Sequence, residues 1–158
     1  MRQRFRGSYL VKPDDRGRAK VPAPYLSIFE NQFNRQVYLT SLNGDYTLLY
    51  PLPGWEEIER QIERIAVRDP DLDEYVNRLS FWGCESEIDI KGRVLIPPAL
   101  RDSGSLHDDV LILGNSNYLA LWNRENFVNR FMQGTFADER LQKVSRMING
   151  FSTLPGHE

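Results

Sequence analysis

Two aspartate–arginine pairs at the same spacing are the residues of this chain best placed to do chemistry. Asp14 precedes Arg18 by four residues, and Asp89 precedes Arg93 by four. Both sit in one pattern written twice, 75 positions apart: Asp14-Asp15-Arg16-Gly17-Arg18-Ala19-Lys20-Val21-Pro22 and Asp89-Ile90-Lys91-Gly92-Arg93-Val94-Leu95-Ile96-Pro97. Gly17 and Gly92 let the backbone turn sharply or approach a surface closely. Arg18 and Arg93 carry a planar fork of donors that suits phosphate oxygens or a guanine edge in the major groove. Arg16, Lys20 and Lys91 add charge that favours phosphates. Asp14 and Asp89 can hold the arginines in one rotamer or accept backbone N–H bonds that shape the loop. A pre-ordered arginine loses less entropy on binding. A single Asp-x-x-x-Arg spacing arises easily by chance and could serve the fold alone. Two copies in the same strand–loop–strand–Pro context favour a functional reading.

Catalysis is a poorer fit. Matched carboxylates at Asp14 and Asp89 could exchange protons. An arginine four residues on instead keeps each ionised, the opposite of a tuned general acid. His107 lies in an apparent turn and His157 in the tail, neither with a repeated partner. Cys84 precedes Glu85, which discourages a thiolate. Ser8, Ser86 and Ser103 lack a G-x-S-x-G context, and no glycine-rich loop leads into a helix to cradle a phosphate. No cofactor or small-molecule ligand is expected. One cysteine and two histidines leave no conventional zinc site and no intrachain disulfide, so the simplest compartment is the cytoplasm.

The 158 residues allow one domain or two small ones, and 41% hydrophobic with 27% charged residues is ordinary for a globular protein. No apolar run is long enough for a membrane span. The net charge of -2 conceals an uneven distribution. Residues 1–20 hold seven basic and two acidic side chains, whereas residues 51–80 hold eight acidic and four basic. A basic end on an acidic body fits a surface facing a polyanion, head-to-tail self-association, or plain solvated charge.

Elements that could position the loops also occur twice. Val37–Thr40 and Val110–Leu113 read as short buried strands. Turns follow at Leu42-Asn43-Gly44-Asp45 and Gly114-Asn115-Ser116-Asn117, then strands at Tyr46–Tyr50 and Tyr118–Trp122, then helices near Trp55 and Phe127. Pro22 and Pro97 are expected to end a strand and open one short helical turn, Ala23–Leu26 and Pro98–Arg101. Trp55, Ile58, Ile62 and Ile65 form one helical stripe, and Leu72, Tyr75, Val76 and Leu79 a second behind an Asp69-Pro70 cap. Asn123 is expected to cap a helix burying Phe127, Val128 and Phe131. Gly134-Thr135 would break it, Leu141, Val144 and Ile148 would continue in a further segment, and the chain from Gly150 would fray. Tyr50, Trp55, Trp82 and Trp122 are read as core rather than base-stacking platforms. Neither half has enough strand to bury a core alone, so the halves should share one barrel or sheet stack. The helical stripes could cover that core or meet another subunit.

These segments resemble the MraZ family of bacterial regulators, built from two tandem SpoVT/AbrB-like DNA-binding modules. The doubled Asp-x-x-x-Arg carries the likeness, together with Phe5-Arg6-Gly7-Ser8-Tyr9, Leu49-Tyr50-Pro51-Leu52-Pro53-Gly54-Trp55 and Lys91-Gly92-Arg93-Val94-Leu95-Ile96-Pro97-Pro98. It runs from about Phe5 to Phe131. The resemblance implies an α+β, mainly β fold: a swapped-hairpin, AbrB-like β-barrel with flanking amphipathic helices. Modules would occupy residues 7–54 and 83–126, connecting helices 55–82, and C-terminal helices with a tail 127–158. It further implies a ring-shaped homo-oligomer that binds double-stranded promoter DNA at short direct repeats, usually as repressor of a cell-division and cell-wall operon, with DNA contacts centred on Arg18 and Arg93. The protein would then work in the cytoplasm on the nucleoid.

Two departures from the family pattern stand out. The first module has no basic residue matching Arg101. Around the second loop Glu85, Glu87 and Asp89 offset Lys91, Arg93 and Arg101, so the first loop should supply more non-specific affinity. The expected function is thus a non-enzymatic, sequence-specific DNA-binding regulator. The alternative is a ring-forming scaffold whose loops grip an acidic protein.

Overall fold

The computed structural model describes residues 3–152 of the chain. Its elements run β1 (Phe5–Val11), β2 (Arg18–Lys20), α1 (Ala23–Gln32), β3 (Gln36–Thr40), β4 (Thr47–Pro51), α2 (Leu52–Glu63), α3 (Pro70–Trp82), β5 (Cys84–Glu87), β6 (Arg93–Leu95), α4 (Pro98–Ser103), β7 (Val110–Ser116), β8 (Tyr118–Asn123), α5 (Arg124–Phe131) and α6 (Asp138–Ser152). They form two compact units, one up to Phe127 and one from Val128.

In the first unit β3–β4 and β7–β8 are antiparallel hairpins, joined through β4 and β8. The opening strand of each half crosses to the other half's hairpin: β1 pairs with β7, from Phe5 opposite Ser116 to Val11 opposite Val110, and β5 pairs with β3. The six-stranded order is therefore β1-β7-β8-β4-β3-β5. Exchanging the two halves leaves that order unchanged. β2 and β6 pair only with each other, as a separate two-stranded ribbon.

Strand alternation decides which side chains enter the core. Val37 and Leu39 of β3, Leu49 of β4, Val110 and Ile112 of β7 and Leu119 and Leu121 of β8 face inward, where they meet Ala19 and Val94 from the ribbon. Tyr25, Ile28 and Phe29 from α1 and Leu100 from α4 close the same cluster. Phe5 packs between Tyr25 and Phe29, with ring centroids 5.6 and 5.2 Å away. The Tyr25 hydroxyl lies 2.8 and 2.6 Å from the Arg6 and Gly7 carbonyl oxygens, so α1 is tied to β1. One core thus draws on both halves.

The closed barrel expected from the family resemblance is not what these strands make. The architecture is mixed α+β, with an open antiparallel sheet whose edges are β1 and β5. Closure needs a continuous ring of hydrogen-bonded strands. β2 and β6 are three residues each and spend their pairing on one another. The buried side chains of α1 and α4 fill the core in place of further strands.

Several local expectations also change. Pro22 opens ten helical residues rather than one turn, because Ile28 and Phe29 continue an apolar face into the core; α4 stays short, six residues ending at Ser103. Gly114, Asn115 and Ser116 belong to β7 instead of a turn, and only Asn117 lies between β7 and β8. A side chain at Gly114 would run into the backbone of Phe5 and Arg6, so β1 can pair there only against glycine. Asp69 caps α3 as expected, accepting from the Asp71 and Leu72 N–H groups at 2.8 and 3.3 Å. Of the two stripes after β4, Trp55 and Leu79 are buried, whereas Ile65 lies beyond α2 and is exposed.

Trp55 stacks on Tyr38, and Trp122 on Tyr46, with centroids 4.6 and 4.3 Å apart. Both tryptophans are buried, so they pack as core. Asn123 accepts from the Asn126 N–H at 2.9 Å, a cap for α5. Phe131, however, is exposed, as are Leu141, Val144 and Ile148 on α6. Gly150 and its two successors continue α6, and the rest of the expected frayed tail, with His157, lies outside the described residues. Among the described residues no helix is long and apolar enough to cross a membrane.

Candidate nucleic-acid interface

Each Asp-x-x-x-Arg segment folds into the same self-bonded turn. The Gly17 N–H donates to the Asp14 carbonyl and the Asp14 N–H to the Arg18 carbonyl, both at 2.9 Å. In the second copy the Gly92 N–H donates to Asp89 and the Asp89 N–H to Arg93, at 2.9 and 2.8 Å. Gly17 and Gly92 take φ of +82° and +79°, a left-handed conformation that costs an L-residue with a side chain energy but glycine little.

Each aspartate bonds both the backbone and the arginine of its own turn. Asp14 Oδ1 accepts the N–H groups of Arg16 and Arg18 at 3.0 and 2.9 Å, while Oδ2 accepts Arg18 Nε at 2.8 Å. Asp89 repeats this with Lys91 and Arg93, both at 2.9 Å, and with Arg93 Nε at 3.1 Å. The Arg18 N–H, then its guanidinium and the Arg16 N–H, hold the Asp14 carboxyl below its ordinary value, outweighing partial desolvation. The Arg93 N–H does the same for Asp89, aided by the Arg93 guanidinium and the Lys91 N–H.

The ribbon brings the two loops together. Arg18 stands opposite Leu95, Ala19 opposite Val94, and Lys20 opposite Arg93. Ala19 and Val94 point into the core, so alternation turns Arg18, Lys20, Arg93 and Leu95 to the other face. The Val21 N–H to Gly92 and Ile96 N–H to Gly17 bonds, 2.9 Å each, extend the ladder to both glycines. Arg16 and Lys91 are exposed on the turns. All five expected DNA-contacting residues therefore lie on one ribbon and its turns.

Two further arginines belong to this assembly and were not singled out for it from the sequence. A side chain at Gly17 would meet the Arg101 guanidinium, so α4 of the second half lies under the first half's loop. The matching neighbour of Gly92 is Leu26 of α1. The cation missing after Pro22 is thus supplied to the first loop from after Pro97. Arg35 Nη1 donates to the Asp89 carbonyl at 2.6 Å and its Nη2 lies 3.0 Å from Glu30, fastening the second loop to α1. Arg101 could have been inferred from the alignment of the two copies; Arg35 has no sequence signal.

Comparison with known proteins adds an independent line. Residues 84–149 match the family described as "MraZ protein, putative antitoxin-like". Proteins named "Transcriptional regulator MraZ" are similar along most of their length. One from Acidobacterium capsulatum is 34% identical over 123 residues, covering 78% of this chain and 84% of that protein. One from Koribacter versatilis is 34% identical over 142 residues, covering 89% and 97%. One from Klebsiella pneumoniae is 34% identical over 151 residues, covering 89% and 99%.

Proposed function

The chain belongs to the MraZ family, and on that premise we propose that it is a transcriptional regulator whose β2–β6 ribbon binds double-stranded promoter DNA. One observation carries the reading: Arg18 and Arg93 stand half-buried on the same face of one ribbon, each held by its own aspartate and both within reach of Asp14. With Nε bonded to its own aspartate, each guanidinium would offer its Nη donors to a phosphate or guanine. Arg16, Lys20 and Lys91 supply flanking charge for the backbone. From Gly17 to Gly92 the ladder advances four residues, roughly 13 Å at 3.3 Å per residue. That is about four base-pair steps at 3.4 Å each, so one chain can touch two nearby points on a duplex.

The finer reading follows from the resemblance. Residues 7–54 and 83–126 act as two SpoVT/AbrB-like modules. Chains assemble into a ring, so that many weak loops engage direct repeats and avidity supplies much of the affinity. The ring sits on the nucleoid and represses the cell-division and cell-wall operon that contains its own gene.

The test is a gel shift with DNA from immediately upstream of the gene against a scrambled duplex, across a salt titration. Wild type should keep its preference for the upstream DNA while affinity falls steeply with salt. Arg18→Ala and Arg93→Ala should each lower that binding more than tenfold with an unchanged circular-dichroism spectrum. Equal binding by both variants rejects the site. No preference at any salt rejects the regulator and favours the scaffold.

A further inference from the structure

The two turns are alike in backbone and unlike at one corner. Asp15 follows Asp14 in the first, and Ile90 follows Asp89 in the second. Ile90 is 93% exposed. Single exposed apolar residues are common on protein surfaces, but nothing local accounts for this one. A tight turn favours short polar residues at its corners, and a β-branched side chain gains nothing there from strand packing. The first copy forms the same hydrogen bonds with aspartate in that place. In the chain Ile90 stands between Asp89 and Lys91, on the turn that leads into Arg93, and Lys20 is opposite Arg93 in the ribbon. An exposed apolar side chain on a turn that also carries Lys91 and leads into Arg93 suits a polyanion that carries apolar groups in its grooves. On DNA the exposed apolar group of the major groove is the thymine C5-methyl.

We propose that Ile90 makes the second loop a reader of a thymine methyl, so that the two loops prefer different bases. Asp15 cannot make this contact. Its carboxylate repels phosphate and can accept only from a base donor such as cytosine N4. The proposal rests on the reading of the ribbon as a DNA interface and extends it: one chain carries two non-equivalent base readers, and its half-sites differ at the position under the turn corner.

Fluorescence anisotropy with the full chain tests this on the upstream duplex, its scrambled control, and a set of upstream duplexes in which single thymines are replaced by uracil, which removes only the methyl. Wild type should lose about fourfold at one or a few uracil positions, the worth of burying one methyl group. Ile90→Ala should bind the unmodified duplex correspondingly less well and be indifferent to uracil at those positions, with an unchanged dichroism spectrum. Light scattering on both proteins runs beside it. Specific binding by wild type with no uracil-sensitive position overturns the methyl contact and leaves the DNA interface standing. Uracil sensitivity that persists in Ile90→Ala also overturns it. A change of oligomer size in Ile90→Ala reassigns the residue to a subunit contact. Equal binding to upstream and scrambled DNA rejects the interface and the inference together.

Discussion

Asp14 reaches across the ribbon to Arg93: its Oδ2 lies 3.7 Å from Arg93 Nη1. The same oxygen is 2.8 Å from Arg18 Nε, so one carboxylate of the first loop faces the arginines of both. Among the described residues Arg18 makes no matching ion pair with Asp89, which serves Arg93 alone.

This asymmetry orders the two aspartate substitutions. Asp14→Asn keeps an oxygen for the backbone N–H groups but removes the charge shared by Arg18 and Arg93. It should weaken binding to the upstream DNA severalfold more than Asp89→Asn, which frees only Arg93. Anisotropy titrations of both variants beside Arg18→Ala and Arg93→Ala decide it. Equal losses would show that the 3.7 Å contact does not order the second arginine.

The glycines predict an order of stabilities. Alanine at Gly92 must adopt a positive φ, a cost of about 1–2 kcal/mol, and press on the mobile end of Leu26. Alanine at Gly17 incurs the same backbone cost and must also displace the Arg101 guanidinium from under the loop. For a chain of this length each kcal/mol lowers Tm by roughly 2–4 °C. Thermal unfolding should place Gly17→Ala below Gly92→Ala, and both below wild type.

The aspartates also fix a direction for pH. Both carboxyls are held below their ordinary value of 3.8 by backbone N–H donors and arginine. A depressed carboxylate contributes stability above its unfolded value and loses it as pH falls through the folded value. Loop order should therefore hold from neutral pH down to about 4 and fail only below that, since the folded value is the lower one. Exchange of the Arg18 and Arg93 Nε protons, followed by NMR, reads it directly. Loss of protection centred near pH 6 would point to some other group.

Lys20 offers a separate check on how affinity divides between charge and sequence. It stands opposite Arg93 on the ribbon, with no aspartate holding it among the described residues. A phosphate contact contributes about 0.9 to the slope of log K against log salt. Lys20→Ala should flatten that slope by about this amount while leaving the ratio of upstream to scrambled binding unchanged. A changed ratio would make Lys20 a base reader.

Much of the site was legible because it is local. The spacing that puts Arg18 four residues after Asp14 is what lets one carboxylate bond the Arg16 and Arg18 N–H groups and Arg18 Nε at once. Gly17 and Gly92 marked positive φ for the same reason. The strands around Val37 and Val110 followed from their short apolar runs, and the α3 start from Asp69-Pro70. The misreadings were of long-range origin. Gly114 looked like a turn residue because its partner across the sheet is Gly7, over a hundred residues earlier in the chain. Pro22 was expected to start a single turn because the depth available to Phe29 depends on where Phe5 lies.

The amino-acid sequence by itself determined the two loops, since hydrogen bonds within five residues close each of them. Only the tertiary structure decided how they face one another. Pairing β1 with β7 and β5 with β3 interlocks the halves, and the three-residue β2–β6 register then sets Lys20 against Arg93, Arg93 beside Asp14 and Arg101 beneath Gly17. These neighbours come from segments some 75 residues apart. Burying one shared core of Phe5, Phe29, Leu39, Ile112 and Leu121 brings them together, because neither half has apolar surface enough to fold around itself.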